Sequence, residues 1–455
     1  MRTKASAIVR PRTVASVASV GALVGLSFFA AAAPANAVTS ADCLAGNTVN
    51  ANAVTPGTVA DIQSLLDASA PLICLIGNFA VPSSLVATSD VTFYGDPSAT
   101  LTATGADRLI DSNDSVTVQN LTLSGGSVGD SGGAIASGNT VTAIHSTFEN
   151  NTATGTGGAI YAYSVVDSES STFIDNHAGG GGAIYDDFTG VTVRNSTFSD
   201  NTSTDQGGAV LALGTMIIDS STFDGNTAVT GGAAAQDYYG GSTITNSTFT
   251  RNDSSAPGDV GGAVVTWGGT ITQSTFLDNS LTDATGDHAV TTWDAPVVLL
   301  GNILANSIQN EPQLDVNSGG SIIDSGGNVL STTKTVETVL TTPAASSMFG
   351  KSVASIFPST SLGHHGGPTE TLAIGAESAA RGVVTSGTLT VDQRGKDRKS
   401  PADAGAFEYT TPASAGPSLP ITGTDPSWPA GIAVALIAAG ALAFGAGRRR
   451  RAARS

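Results

Sequence analysis

The sequence predicts an all-β protein folded as a parallel β-helix, in which coils of about 25 residues stack into a solenoid. A phenylalanine recurs at spacings of 25, 25, 25, 26 and 27 residues, and an asparagine follows three positions after each one. A Gly-Gly-Ala triplet recurs with nearly the same period. The phenylalanines are Phe148, Phe173, Phe198, Phe223, Phe249 and Phe276, the asparagines are Asn151, Asn176, Asn201, Asn226, Asn252 and Asn279, and the triplets begin at Gly132, Gly157, Gly181, Gly207, Gly231 and Gly261. We expect Leu123 and Ile303 to take the phenylalanine position in the flanking coils.

Each repeat contains strand and turn signals and lacks a helical period. Runs such as VTVRNSTF (191–198) carry β-branched residues at alternate positions, and Gly, Asn, Asp and Ser separate these runs. Strands stacked coil on coil would lie about 4.8 Å apart. This spacing predicts phenylalanine rings stacked inside the solenoid and a ladder of asparagine amides in a left-handed turn. The glycine pairs would permit tight corners between neighbouring coils.

The N-terminal segment has the order of a secretory signal peptide. Basic residues precede an apolar run from Val14 to Ala33, and the small-residue pattern Ala35-Asn36-Ala37 follows. This pattern predicts a signal peptide over residues 1–37 that is removed on export. A retained N-terminal anchor is the alternative.

The C-terminal segment combines a short motif, an apolar span and a basic tail. The LPITG sequence is followed by an apolar stretch at 428–447, long enough to cross a bilayer, and then by an arginine tail. The three parts together resemble the cell-wall sorting signal of Gram-positive surface proteins. The resemblance implies that a sortase cleaves after the threonine and joins it covalently to peptidoglycan on the outer surface, so that only the precursor spans the membrane. A plain membrane anchor is the alternative. The motif residues are Leu419, Pro420, Ile421, Thr422 and Gly423.

Charge and cysteine content suit an exported protein. The chain has 19 basic and 37 acidic residues, and its net charge is −18. Without residues 1–37 and the segment after Gly423, 10 basic and 36 acidic residues remain, which gives −26. Such a charge disfavours nucleic acid as a partner. The two cysteines, Cys43 and Cys74, both lie near the start of the exported part and favour one disulfide, with two free buried thiols as the alternative.

Two further resemblances cover most of residues 120–423. Pairs such as GGAIYD and FIDN are similar to repeats of bacterial polymorphic surface and autotransporter proteins, which implies a right-handed β-helix. The segments 362–382 and 391–409 resemble the choice-of-anchor Q region, although Ser378-Ala379-Ala380 replaces its usual Ser-Pro-Ala and its cysteine pair is missing. These resemblances imply an architecture and a location at the cell surface; the family has no generally assigned biochemical activity. The predicted organisation is a signal peptide (1–37), an N-terminal cap (38–95), coils (96–330), a choice-of-anchor region (331–410), a short linker (411–418) and the sorting signal (419–455).

One outward column of the predicted solenoid is rich in aromatic and acidic residues. Counted from the first glycine of each triplet, offset three is aliphatic and should point inward, whereas offsets four and six should point outward by strand alternation. The offset-three residues are Ile135, Ile160, Ile184, Val210, Ala234, Val264 and Val290. Exposed aromatic rings with interspersed carboxylates suit sugar rings, so we predict a polysaccharide-binding face. The candidates are Tyr161, Tyr163, Tyr185, Asp187, Asp237, Tyr238, Trp267 and Trp293. The alternative is that these aromatics only cover a sheet face or pack under loops.

Catalysis is the weaker interpretation of the same face. Asp187 and Asp237 would share a column two coils apart, about 9–10 Å from each other, which is a separation that a glycosidase can use. Arg194 and Arg251 are the only basic side chains between residues 120 and 330, which leaves a lyase with few candidate bases. No cofactor and no zinc site is predicted, although acidic turns such as 199–205 could hold Ca²⁺. The leading hypothesis is an adhesin or glycan-binding structural protein that meets a polysaccharide or a host surface. A polysaccharide lyase or glycoside hydrolase and a passive coat protein are the rivals.

Overall fold

The structure is a computed structural model that describes residues 42–43, 48–50, 57–255, 261–281, 289–307, 313–334, 339–340 and 342–411. Within these residues the chain forms a parallel β-helix, as the repeat predicts, and it is right-handed, as the resemblance implies; it has three parallel sheets. The predicted signal peptide, sorting signal and membrane span lie outside the described residues. Among the residues that are described, no helix is both long and apolar enough to cross a membrane.

Sheet A runs the length of the solenoid, and most coils contribute two strands to it. A left-handed residue separates the two strands at His145, Ser170, Asn195, Ser220, Asn246 and Gln273, and Asn120 is left-handed at the same position within the continuous strand Val116–Ser124. The strands of sheet A are Thr48–Asn50, Leu72–Val81, Val91–Ala103, Val116–Ser124, Thr140–Ile144, Thr147–Glu149, Val165–Glu169, Thr172–Ile174, Gly190–Arg194, Thr197–Ser199, Thr215–Asp219, Thr222–Asp224, Ser242–Thr245, Thr248–Thr250, Gly269–Thr272, Thr275–Leu277, Pro296–Leu300, Ile303–Ala305, Ser321–Asp324 and Val329–Leu330.

Sheets B and C complete each coil with one short strand apiece. Sheet B consists of Leu85–Ala87, Ile110–Ser112, Ile135–Ser137, Ile160–Ala162, Ile184–Asp186, Val210–Ala212, Gly231–Asp237, Gly261–Thr266, Val290–Trp293 and Leu314–Asn317. Sheet C consists of Ser127–Val128, Thr152–Ala153, His177–Ala178, Thr202–Ser203, Thr227–Ala228, Asp253–Ser254 and Ser280–Leu281. Each coil therefore passes from sheet C through the glycine corner to sheet B, then through a turn into the two strands of sheet A.

The phenylalanine stack forms the centre of the core, as predicted. Successive rings from Phe148 to Phe276 have centroids 4.6–4.9 Å apart and lie within 9° of parallel. Leu123, which lies in the coil before that of Phe148, pairs with Phe148 as expected. The prediction for the last coil is wrong, because Leu304 and not Ile303 pairs with Phe276.

The asparagine ladder is also confirmed, with a change in where the left-handed turn lies. Each side-chain amide donates to the amide oxygen of the next coil, at 2.8–3.0 Å from Asn151 to Asn279, and these side chains are buried. The left-handed residue is the one before each asparagine, such as Asp175 or Asp200, and not the asparagine itself. This arrangement leaves the asparagine free to turn its side chain inward, where it also binds the main-chain carbonyl of a phenylalanine in the preceding coil.

The glycine corners follow from close backbone approach. The first glycine of the triplets from Gly132 to Gly231 has a φ between 61° and 74°. A Cβ on the second glycine, for example Gly182, would lie 2.0 Å from the carbonyl oxygen of Gly208 in the next coil. Any larger residue there would push the coils apart.

A short helix and a disulfide close the N-terminal end of the solenoid. Helix α1 (Val59–Asp67) begins with a capping box between Thr58 and Asp61, and it buries Ile62 and Leu66. A disulfide joins Cys43 to Cys74. Sheet A already includes strands before residue 96, so stacking of coils begins within the segment that the sequence suggested as a cap.

The C-terminal region packs along the side of the solenoid. Residues 342–411 contain helix α2 (Val353–Ile356) and otherwise irregular backbone. Three successive threonines of sheet A bind it: Thr222 donates to the Glu370 carbonyl, Thr248 donates to Gln393, and Thr275 accepts from the Ala406 amide. The region therefore crosses three coils on the outer face of sheet A and leaves the turn between sheets B and A uncovered.

Candidate functional site

The candidate site is the turn between sheet B and the first strand of sheet A. Each coil presents two to four residues here, and we call this surface the aromatic edge. It comprises residues 138–139, 163–164, 187–189, 213–214, 238–241, 267–268 and 293–295, of which Trp293 is still the last residue of its sheet B strand. The turn follows the last residue of each sheet B strand, so the register of sheet B decides which side chains share a column along the edge.

The observed register corrects one of the predicted columns. Ala162 pairs with Asp186, Asp186 with Ala212, and Ala212 with Asp237. Asp237 therefore shares a column with Asp186 and not with Asp187. The outer column is formed by the residues that follow: Gly138, Tyr163, Asp187, Leu213, Tyr238, Trp267 and Trp293. The prediction that Asp187 and Asp237 lie in one outward column is wrong.

One additional residue in a single coil explains this difference. The strand Gly231–Asp237 matches Gly231 and Gly232 to the two glycines of the next coil, and then its register shifts before Ala235 pairs with Val264. Ala235, and not Ala234 as predicted, therefore continues the inward aliphatic column. Every later residue of that coil is moved by one position, which turns Asp237 inward and places Tyr238 on the surface.

An inner group at the edge is formed by Tyr161, Tyr185 and Asp187. The two rings stack with centroids 5.8 Å apart, and both hydroxyls donate to the Asp187 carboxylate, at 3.2 and 3.1 Å. Burial, assisted by the charge of Asp187, raises the pKa of both phenols. Both tyrosines are thus kept protonated as donors, and the carboxylate is fixed between two coils.

An outer group projects from the same coils into solvent. The rings of Tyr163 and Phe188 are stacked, 6.1 Å apart and within 2° of parallel, and they are 51% and 69% exposed. Tyr239, further along the edge, is 79% exposed. Phe188 is absent from the sequence-based candidates because it is an additional residue in its turn, outside the counted offsets. Among the described residues, the three exposed large aromatic side chains all lie on this edge.

A second stack follows after the coil of Leu213. The ring of Tyr238 lies 4.8 Å from Trp267, and Trp267 lies 5.7 Å from Trp293 at an interplanar angle of 13°. The Tyr238 hydroxyl donates to the side-chain oxygen of Gln206. These three rings are half-buried, and much of their face area is used in contacts with each other.

Two carboxylates lie beneath the edge, fully buried. Asp237 accepts from the Ser242 hydroxyl at 2.8 Å and from the Gly241 amide at 2.9 Å, which holds the turn that follows it. Asp186 accepts from the Phe188 amide through Oδ2, whereas its Oδ1 has no hydrogen-bond partner among the described residues. Burial raises the pKa of Asp186 to about 7. Both side chains stabilise turns and are inaccessible to a polysaccharide.

The described residues offer little for metal or acid–base chemistry at this edge. They contain no group of three or more His, Cys, Asp or Glu side chains placed to hold a metal ion. Of the two carboxylates proposed as a catalytic pair, Asp187 alone reaches the surface, and it already accepts from two tyrosines. The Asp187 carboxylate is therefore already engaged by two hydroxyl donors.

Comparison with known proteins supports the fold. Residues 109–302 match the family described as a right handed beta helix region. The matched segment contains all six phenylalanine–asparagine repeats and the whole aromatic edge. No curated protein matches the chain.

Proposed function

We propose that this β-helix is an exported, cell-wall-anchored surface protein that binds a polysaccharide at its aromatic edge without catalysing a reaction. The observation that carries the proposal is that, in the part of the chain that the structure describes, the exposed aromatic side chains are confined to that edge. Tyr163, Phe188 and Tyr239 project there, although the fold does not require aromatics at these positions. Aromatic rings present large, rigid apolar surfaces, which is how proteins commonly contact the C–H faces of sugars.

The chemistry at the edge supports binding over hydrolysis or elimination. A tyrosine that acts as a base must lose its proton near neutral pH, and burial raises the pKa of both Tyr161 and Tyr185. A glycosidase needs two accessible carboxyl groups, and Asp237 is buried behind the Ser242 hydroxyl. A polysaccharide lyase or glycoside hydrolase remains the alternative activity, and release of reducing or unsaturated sugars by the chain would establish it.

Binding is tested by retention of the full chain in native gels that contain a panel of plant, host and bacterial polysaccharides. We expect retention on one class of polysaccharide, and we expect the Tyr163→Ala/Phe188→Ala double variant to migrate freely. A matched control is the Val229→Ala/Ile323→Ala double variant, which removes two side chains that are 45% and 46% exposed away from the edge. Free migration of the wild-type chain on every polysaccharide would contradict binding and leave a passive coat as the better account.

The proposed location in the cell wall rests on the resemblance to a sorting signal. The disulfide between Cys43 and Cys74 fits export, because oxidising compartments preserve such bonds. The test is Thr422→Ala in a Gram-positive host that has a sortase. We expect the wild-type chain in the peptidoglycan fraction, released by a muralytic enzyme, and the variant in the membrane fraction or medium. Equal recovery of both chains from peptidoglycan would refute sortase anchoring through Thr422.

A further inference from the structure

We infer that the first sugar position of the aromatic edge is the free face of Tyr163, and that its ligand is an uncharged polysaccharide. This inference rests on the proposed glycan binding and adds the place and the ligand class. It starts from the direction of stacking. Rings at the edge stack coil on coil, so a ring inside a stack has both faces covered and only the rings at the ends can offer a face to a sugar.

The two outer stacks have four terminal rings. Three of these rings face a neighbouring coil that has a side chain, and not a glycine, at its outer position. The free faces of Phe188 and Tyr238 are both directed at the coil of Leu213. The free face of Trp293 is directed at the coil of Asn317, with which Trp293 pairs. The free face of Tyr163 is directed at the preceding coil. There Ser137 pairs with Ala162, so Gly138 occupies the outer position that Tyr163 has in its own coil. A glycine has no side chain to cover the ring, so the face of Tyr163 away from Phe188 is open.

The backbone requires this glycine, which makes the open space a built feature of the coil. A Cβ on Gly138 would lie 2.7 Å from the carbonyl oxygen of Asn113, which is main chain and cannot move aside easily. Asn113, Gly138 and Asn139 are all exposed. The surface next to the ring therefore combines the exposed backbone of Gly138 with the amide side chains of Asn113 and Asn139. These groups supply hydrogen-bond donors and acceptors that suit sugar hydroxyls.

Charge around this position selects against anionic ligands. Asp187 is fixed in the coil after Tyr163, and Asp114 is half-buried in the coil before Gly138. The guanidinium of Arg108, two coils before Tyr163, is already paired with Asp111 at 2.9 Å and with Asp130. Since the chain as a whole has a net charge of −18, a polyuronate or a phosphate-bearing polymer would be repelled from the edge.

The experiment compares full-chain variants by affinity electrophoresis in gels that contain hydroxyethylcellulose, galactomannan or polygalacturonate. We expect retention of the wild-type chain on a neutral polymer and none on polygalacturonate. Tyr163→Ala should weaken binding about tenfold or more, the effect of losing roughly 1.4 kcal/mol of ring contact. Tyr163→Trp should retain binding because it keeps a flat ring. Val229→Ala is the matched control, since it removes a side chain that is 45% exposed away from the aromatic edge, and it should bind as the wild type does.

Each contrary result has a distinct meaning. Wild-type affinity in Tyr163→Ala, together with loss of retention in the Tyr163→Ala/Phe188→Ala double variant, would overturn the site and keep the proposed function. Preferential retention on polygalacturonate would overturn the ligand class. Free migration of the wild-type chain on all three polymers would overturn the inference together with glycan binding. Circular dichroism of each variant shows whether the solenoid is intact.

Discussion

Removal of one rung from the asparagine ladder should cost about as much stability as removal of a large core side chain. The substitution is Asn201→Ala, in the middle of the ladder. The side chain donates to the Phe173 carbonyl at 3.0 Å and to Asn226 Oδ1 at 2.9 Å. Its own oxygen accepts from the main-chain and side-chain nitrogens of Asn176, at 3.1 and 2.9 Å. Alanine removes all four bonds in a site with no exposed surface.

The magnitude follows from these four bonds. A typical intramolecular hydrogen bond contributes about 1 kcal/mol net, which gives about 4 kcal/mol. The two nitrogens of Asn176 then lose an acceptor while buried, and an unsatisfied buried donor raises the cost to about 6 kcal/mol. Because a solenoid coil is stabilised by its neighbours, the loss weakens the stacking on both sides of the coil.

The assay is equilibrium unfolding in guanidinium chloride, followed by far-ultraviolet circular dichroism. We expect a fall of about 4–6 kcal/mol in the free energy of unfolding. Asn195→Ser is the matched control in the same coil, because the equivalent left-handed positions already carry Ser170 and Ser220. It should cost less than about 1 kcal/mol. A loss in Asn201→Ala no larger than that of the control would refute the view that the ladder stabilises the fold.

Three further predictions concern other parts of the chain. Asp186→Asn should stabilise the protein above pH 7 and much less at pH 4. The folded-state pKa is raised from 3.8 to about 7. Wild-type stability therefore falls as pH rises through this range, by up to about 4 kcal/mol, and equal melting temperatures at pH 8 would contradict the prediction. Cys43→Ser opens a loop that spans 31 residues and should cost about 3–4 kcal/mol in the oxidised protein. Reductant should lower the melting temperature of the wild type and not of the variant. Gln393→Ala removes the side chain that binds both Thr222 and Thr248. Limited proteolysis should then cut within residues 358–409 sooner, with the solenoid core still resistant; unchanged cleavage would show that other contacts hold the region.

The architecture could be predicted from sequence because the same positions recur in every coil. Phe198 and Asn201 have equivalents at a nearly constant interval, so their burial and their stacking partners follow from counting. The count failed at Asp237, where one additional residue in a single strand turned the side chain inward. It also missed Phe188, an additional residue in its turn. The docking of Gln393 on sheet A has no periodic signal, since it joins residues far apart in sequence.

The contrast between columns gives the strongest argument that the aromatic edge serves something other than folding. The column of Phe198 holds phenylalanine in six successive coils, and the column of Asn201 holds asparagine in the same six, because every coil needs the same ring and the same amide at that place. The outer column of the edge holds glycine, tyrosine, aspartate, leucine, tyrosine and tryptophan in successive coils, and a turn of two to four residues follows in each coil. The coils with Tyr163, Asp187 and Leu213 in this column pair with their neighbours in the same register, so the fold does not require an aromatic side chain there. An exposed aromatic ring gains little stability for its own coil, and it adds apolar surface that a folded protein normally limits. Three such rings along one edge therefore support the ligand contact that we propose.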